Sequence, residues 1–157
     1  MNEERTRIIM GSDHAGFELK EKCKTYIKDT LKKDVEDIGV YSPDPSDYPD
    51  IGHRLAEQIA SKRYPFGILI CGTGIGMSMV ANRHKGVRAA LCHDIYTAKY
   101  SRLHNDANVL VMGGRVIGEG VAFEMIKTFL ETPFEGGRHK RRIEKIDKEF
   151  CLEGEKS

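Results

Sequence analysis

Cys71 ends the apolar run 66–70 and is followed by glycines at 72, 74 and 76, with Thr73 between the first two. An apolar run of this length reads as a buried strand. The alternating glycines leave their N–H groups unobstructed on one side of a tight turn and tolerate positive φ. Such a turn is expected to form an anion-binding nest. A thiol beside it is expected to favour the thiolate, and a thiolate next to an anion trap is equipped to make a carbanion or enolate. Other readings of the glycines remain open. A phosphate-binding P-loop needs a Lys and a Ser/Thr that do not follow in register, and a dinucleotide fingerprint needs G-x-G-x-x-G where this chain has G-x-G-x-G. A purely structural turn also satisfies the spacing.

A second group is basic. Arg138 and Arg142 lie one helical turn apart in the run RHKRR at 138–142, and Arg115 follows a glycine pair. Guanidinium forks match phosphate oxygens, so these arginines read as a phosphate clamp. A solvated charged face is the plainer alternative. A nucleic-acid patch lacks both the interleaved aromatics and the net charge, which is only +1. Of the six histidines, none pairs with another at a metal-ligand spacing, so no metal is expected. His104 lies in the polar run LHNDAN at 103–108, and the unperturbed imidazole, with a pKa of about 6.5, is a residue type suited to moving protons on and off oxygen. It also reads as a surface histidine. His53 and His84 show no partner and are taken as structural.

A thiolate, an anion hole, a phosphate clamp and a histidine suit proton abstraction beside the carbonyl of a small phosphorylated molecule. One well-aimed donor to a developing oxyanion contributes about 3–4 kcal/mol. This reading requires Cys71 to share a cleft with the guanidinium groups.

The elements that must position these groups alternate. Strands are expected at 7–10, 35–38, 66–70, 87–92 and 108–112, with helices at about 17–30, 51–61, 77–83, 95–103 and 118–131. A charged helix with a narrow apolar stripe follows at 138–150, able to pack on its own domain or, the preferred reading, to clasp a partner subunit. Alternation implies an α/β, Rossmann-like three-layer sandwich: a five-stranded parallel sheet with helices on both faces and a C-terminal helix. Ligands in such folds bind beyond the carboxyl ends of the strands. Asp13 and His14, the Cys71 turn, His93 with Asp94, and Arg115 all fall there.

Composition sets the outer bounds. The chain of 157 residues reads as a single domain, structured over about 7–150 with polar termini, and its 39% hydrophobic and 31% charged content is ordinary for a soluble protein. No run is long enough to span a bilayer, and the polar residues 1–7 lack the apolar stretch of a signal peptide. The four scattered cysteines imply neither a disulfide framework nor a zinc site, and a cytoplasmic location fits. Cys23 and Cys92 read as packing, and Cys151 as incidental.

Seven segments together carry a resemblance that none carries alone: GSDHAGFELK at 11–20, DYPD at 47–50, ICGTGIGM at 70–77, ANR at 81–83, HND at 104–106, GGR at 113–115 and GGRH at 136–139. In this order they resemble the type B ribose-5-phosphate isomerases and the related galactose-6-phosphate isomerase subunits. The resemblance implies interconversion of D-ribose 5-phosphate and D-ribulose 5-phosphate without metal or organic cofactor. It implies that Cys71 is the base between C1 and C2, and that Thr73 with the amides of Gly72, Gly74 and Gly76 stabilises the enediolate. His104 would open the sugar ring. Asp13, Tyr48 and Asn105 would hold sugar oxygens, and His14, Arg115, Arg138 and Arg142 the phosphate end. Family members are homodimers or dimers of dimers with sites shared between subunits. A branch using glutamate instead of cysteine would carry it at position 77, which is Met77 here. The alternatives are an isomerase of allose or galactose 6-phosphate, and a non-catalytic sugar-phosphate or nucleotide module with Asp94 reading a ribose. No nucleic-acid or membrane partner is expected.

Overall fold

The computed structural model describes residues 7–148. The expectations for Cys151, for the polar termini and for the last two residues of the C-terminal helix lie outside them.

Within these bounds the elements alternate as the periodicity predicts. They are β1 (Arg7–Ser12), α1 (Phe17–Asp29), β2 (Asp34–Asp37), α2 (Tyr48–Ala60), β3 (Phe66–Cys71), α3 (Ile75–Ala81), β4 (Ala89–Leu91), α4 (Ile95–Leu103), β5 (Val109–Gly113), α5 (Glu119–Glu131) and α6 (Arg138–Asp147). All strand pairs are parallel, in the order β2-β1-β3-β5-β4. Alternating side chains send one set of residues to each face. Ile8, Met10, Ile68, Ile70, Leu110 and Met112 meet α1, α4 and α5. Ile9, Leu69, Cys71, Val109 and Val111 meet α2 and α3. Cys71 therefore belongs to the α2/α3 face.

Boundaries differ from expectation at the strand ends. β1, β3 and β5 run on into Ser12, Cys71 and Gly113, because the ladder Ser12↔Ile70 and Cys71↔Gly113 continues through the polar residues. β4 is shorter than the apolar run suggests. Residues 84–87 form a turn instead, closed by the Val87 N–H donating to the His84 carbonyl at 3.1 Å. α3 begins at Ile75, two residues early, because Gly74 takes φ +80 and turns the chain straight into the helix.

The strand order reverses direction between β1 and β3: the chain leaves β1 for the β2 side, then returns to lay β3 on the other. A crevice opens at the carboxyl ends where this happens. Its β1 wall is held by a chain of contacts starting at a buried ion pair. Lys20, fully buried, donates to Asp37 at 2.6 Å, and Lys24 donates to the same oxygen at 2.9 Å. The other Asp37 oxygen accepts the Gly39 N–H at 2.9 Å. Gly39 and Val40 in turn bracket Ser12, through Ser12 N–H to the Gly39 carbonyl at 2.7 Å and Val40 N–H to the Ser12 carbonyl at 2.8 Å.

Burial alone would raise the Asp37 carboxyl, but the two lysines and the Gly39 N–H outweigh it and hold it below its ordinary range. A depressed carboxylate adds stability above the unfolded value, about 3.9, and that stability is lost as pH falls through the lower folded value. Asp37→Asn is expected to cost about 3 kcal/mol at pH 7 by leaving the buried Lys20 with Glu21, 2.9 Å away, as its one carboxylate partner among the described residues, and to flatten the loss of stability below pH about 4. Urea unfolding of both proteins at pH 7 and pH 3 measures this; parallel pH profiles would count against the role given to Asp37.

Candidate active site

The carboxyl edge gathers one set of expected residues. Cys71 is 5% exposed, and its sulfur accepts the Gly74 N–H at 3.2 Å. Thr73 accepts the Ile75 N–H on its hydroxyl oxygen at 3.2 Å, which leaves the hydroxyl proton to donate elsewhere. The three glycine amides are thus not equivalent, since that of Gly74 is spent on the sulfur. The strand-end ladder fixes this turn: the Gly114 N–H donates to the Cys71 carbonyl at 2.8 Å and the Arg115 N–H to the Gly72 carbonyl at 3.0 Å. The Arg115 guanidinium lies over Gly72, with Nη1 3.6 Å from where a β-carbon would stand. Across the turn the Tyr48 ring packs on Gly76 so closely that a β-carbon there would be 2.6 Å from it.

Asp13 and His14 complete this edge. Asp13 is 6% exposed and caps its own turn by accepting the Gly16 N–H at 3.0 Å. His14 is clamped to the loop before α2: its backbone N–H donates to the Ser46 hydroxyl and its Nδ1 accepts the Ser46 N–H, both at 3.1 Å. With Nδ1 accepting, the neutral ring carries its proton on Nε2. A groove of about 450 Å³ runs past His14, Lys22 and Arg115.

The other expected residues are elsewhere. α4 leaves the carboxyl edge at Asp94 and runs back along the sheet, so His104, its C-cap, lies at the amino edge. There the Asn105 and Asp106 carbonyls accept from Arg88, which precedes β4, and the Asn108 carbonyl accepts from Gly67, at the start of β3. Arg138 and Arg142 are at this edge too, exposed on α6. The requirement that Cys71 share a cleft with all the guanidinium groups of its own chain is therefore not met. Arg115 stands beside it; Arg138, Arg142, His104 and Asn105 are across the sheet. A cavity of about 640 Å³ is also at the amino edge, lined by Arg83, Arg88, Asn105 and Ile146 among others.

The amino-edge group is well ordered. Arg102, 7% exposed, donates to Asp106 at 2.8 Å and to the Ala107 and Thr132 carbonyls at 2.6 and 3.2 Å, fixing the loop that carries His104. The His104 ring stacks on His139 at 4.1 Å between centroids. Desolvation first, then His104, Arg138 and Arg142, hold the His139 imidazole below its ordinary pKa against the opposing pull of Glu135. α6 also packs on its own chain through Ile143 and an Asp147–Arg88 ion pair at 2.8 Å, the first of its two expected alternatives.

Three further expectations change. His53 and His84 are partners, ring nitrogen to ring nitrogen at 2.7 Å. Asp94, which the binding-module alternative assigned to a ribose, is the N-cap of α4, accepting the Thr97 N–H at 2.7 Å and its hydroxyl at 2.9 Å. His104 and His139 come together with Glu135, a grouping that sequence spacing does not reveal. Cys23 and Cys92 are buried as expected, and desolvation pushes the Cys23 thiol up to about 12.

Residues 8–146 match the model of the Ribose/Galactose Isomerase family. Ribose-5-phosphate isomerase B of Escherichia coli strain K12 is 41% identical over 142 residues, 89% of this chain and 93% of that protein. D-erythrulose-4-phosphate isomerase of Pectobacterium atrosepticum is 43% identical over 143 residues, 88% of this chain and 91% of that protein. A solved ribose 5-phosphate isomerase from Thermotoga maritima superposes with a TM-score of 0.89 at 52% identity, covering 92% of this chain and 99% of that one. The chain belongs to the ribose/galactose isomerase family and is a sugar-phosphate isomerase. Among the described residues no helix is long and apolar enough to cross a membrane.

The turn around Cys71 yields a graded test. Gly74 and Gly86 both have positive φ, +80 and +86, but a β-carbon at Gly74 would lie 2.5 Å from Leu91 and 3.0 Å from the Met112 backbone, while nothing lies within 4 Å of one at Gly86. Gly86→Ala is expected to cost about 1–2 kcal/mol from the left-handed backbone alone. Gly74→Ala adds an overpacking cost of about 1–3 kcal/mol. Equal losses in urea unfolding would show that the turn has room to relax.

Proposed function

We propose that the protein interconverts D-ribose 5-phosphate and D-ribulose 5-phosphate through an enediolate, with each site built from two copies of the chain. The observation that carries this reading is the seat of Cys71. It lies at the strand reversal with a glycine N–H on its sulfur, in a turn whose Gly76 packs against Tyr48 and whose Gly72 lies under Arg115.

The open-chain aldose binds with its phosphate toward His14 and Arg115 and its hydroxyls toward Asp13 and Tyr48. The Cys71 thiolate takes the proton from C2. The electrons move into the C1 carbonyl, giving a cis-enediolate. The Thr73 hydroxyl and the amides of Gly72 and Gly76 donate to its oxygens, each well-aimed donor contributing about 3–4 kcal/mol. The proton returns from the thiol to C1, and one hydroxyl proton passes from O2 to O1, leaving the 2-ketose. Redox balance is internal, since C1 is reduced as C2 is oxidised, so these steps call on no cofactor.

Ring opening precedes this and needs a proton taken from the anomeric hydroxyl and one given to the ring oxygen. His104 performs it, with Asn105 on a sugar hydroxyl and Arg138 and Arg142 on the phosphate. Because they lie across the sheet from Cys71, we assign them to a second copy, whose amino edge would cover this carboxyl edge. A two-fold dimer makes two such sites by the same contact. Substrate length varies among relatives, one of which is named for a four-carbon substrate. Because relatives at 41% and 52% identity are named ribose-5-phosphate isomerases, turnover is expected to be highest with ribose 5-phosphate in a panel that includes allose and galactose 6-phosphates.

Complementation tests both the residues and the sharing. Cys71→Ala and His104→Ala are each expected to lose nearly all turnover of ribose 5-phosphate while still binding it. Unfolded and refolded together, they should regain about a quarter of wild-type activity, because half the dimers are mixed and each mixed dimer holds one intact site of two. No recovery would rule out sharing. Near-normal turnover by Cys71→Ala alone would rule out the base.

A further inference from the structure

Outside the Cys71 half-site, one cluster has binding capacity that no step above uses. His104 closes α4, Glu135 lies in the link between α5 and α6, and His139 is in the first turn of α6. Gly136 and Gly137, with φ +72 and +55, fold α6 back over this link. The two imidazoles then lie nearly parallel, 11° between planes. Glu135 reaches toward both, one carboxylate oxygen 3.7 Å from His104 Nε2 and the other 3.9 Å from His139 Nε2.

These separations are too long for hydrogen bonds. One ligand atom from each of the three residues lies within 4.8 Å of the other two. Donors around a zinc ion, each about 2.0–2.2 Å from the metal, stand roughly 3.3 Å apart when tetrahedral, so a closure of about an ångström or more would bring these three into range. Glu135 and His104, with side chains 53% and 38% exposed, are free to make that move, in which the His104 ring must also turn out of its stack on His139, because parallel imidazoles aim their in-plane lone pairs along lines that do not meet at one ion. His139 supplies the independent sign: it is 4% exposed, and its Nε2 is buried with no hydrogen-bond partner. Buried polar atoms are normally satisfied, and this one is aimed at the gap.

We propose that His104, Glu135 and His139 bind a transition-metal dication of the zinc class, and that occupancy takes His104 out of ring opening. The binding stands on the geometry alone, while the inhibition rests on the isomerase reading above. Arg138 and Arg142, on the same helix, oppose a cation held by charge, so the site favours one held by imidazole nitrogen, such as Zn²⁺, over Mg²⁺ or Ca²⁺. With the metal on Nε2 and a proton on Nδ1, His104 has no lone pair left to accept a proton from the sugar.

The test titrates Zn²⁺ by calorimetry into the full-length Cys71→Ala protein, which removes the thiol of the proposed base as a competing ligand. One ion per chain is expected, with affinity at least about tenfold weaker when Glu135→Gln or His139→Gln is added. Co²⁺ in place of Zn²⁺ should give d–d bands without a sulfur-to-metal charge-transfer band. Should His139→Gln fail to fold, the half-exposed Glu135→Gln still decides. Absence of stoichiometric binding, equal affinities, or a sulfur band would each overturn the site. In the wild-type protein, Zn²⁺ should slow turnover of ribose 5-phosphate, EDTA should restore it, and Glu135→Gln should shift the inhibition midpoint upward about tenfold. Binding at these residues without inhibition would leave the metal site standing and overturn the link to ring opening.

Discussion

An all-parallel sheet puts the end of every strand and the end of the helix that follows it on opposite edges. The chain leaves β3 at Cys71 on the carboxyl edge, and α4 begins on that same edge after β4. The nine residues of α4 then carry it back about 13 Å before His104 is reached. No side-chain rotamer closes that gap. The ladder from Ser12↔Ile70 to Cys71↔Gly113 makes the separation rigid, because sliding a strand by one residue would exchange its two faces. The division of the chemistry into a thiol half and an imidazole half thus follows from the connection rule of the fold.

Each half is closed upon itself. At the carboxyl edge Asp13 spends one oxygen on Gly16, Cys71 receives Gly74, and Ser46 clamps His14. Close backbone approach holds them in place. A β-carbon at Gly16 would come within 2.4 Å of the Ile70 carbonyl oxygen, and one at Gly113 within 2.8 Å of the Thr73 carbonyl oxygen. At the amino edge the buried Arg102 guanidinium takes the place of that backbone packing, stacked over Phe66 and Phe129 while it holds the His104 loop. A turn pinned by backbone contact has little freedom to drift, which suits a base that must meet one carbon atom.

Much of this was legible before any coordinates. Period-two and period-3.6 patterns located all eleven elements, and the order of residues after strands already put Asp13, His14, Cys71 and Arg115 on one edge. Those residues follow strands directly, so order along the chain already says which edge they occupy. His104, Asn105, Arg138 and Arg142 follow helices. A site that holds them with Cys71 therefore needs the sharing between subunits that the family resemblance implies. Ser46 against His14, His53 against His84, and Glu135 between two imidazoles are contacts across 32, 31 and four to 31 residues; the longer ones come from topology, which spacing does not encode. Asp94 is the opposite case. Its Asp-x-x-Thr pattern at the head of a helix was a readable cap signal, and it outweighs a ribose-binding role argued from distance along the chain.

Under the proposed sharing, this division constrains how two copies would meet. Because the polar groups of each half are largely satisfied within one chain, the halves do not draw each other together by unpaired hydrogen bonds. The drive must come from apolar surface bordering the site. The carboxyl edge has such a surface: Ile75 and Met79 on α3, Val116 after β5, and Ile95 and Tyr96 on α4 are all between 42% and 68% exposed. Burial of scattered large side chains of this kind supplies association free energy in proportion to area, without committing the groups that must later bind sugar. The arginines of α6 are exposed, and in the same reading they stay solvated until a phosphate reaches them. In the shared-site reading, hydrophobic contact assembles the enzyme and charge recognises the substrate, and the two tasks fall to different residues of the same edge-to-edge surface.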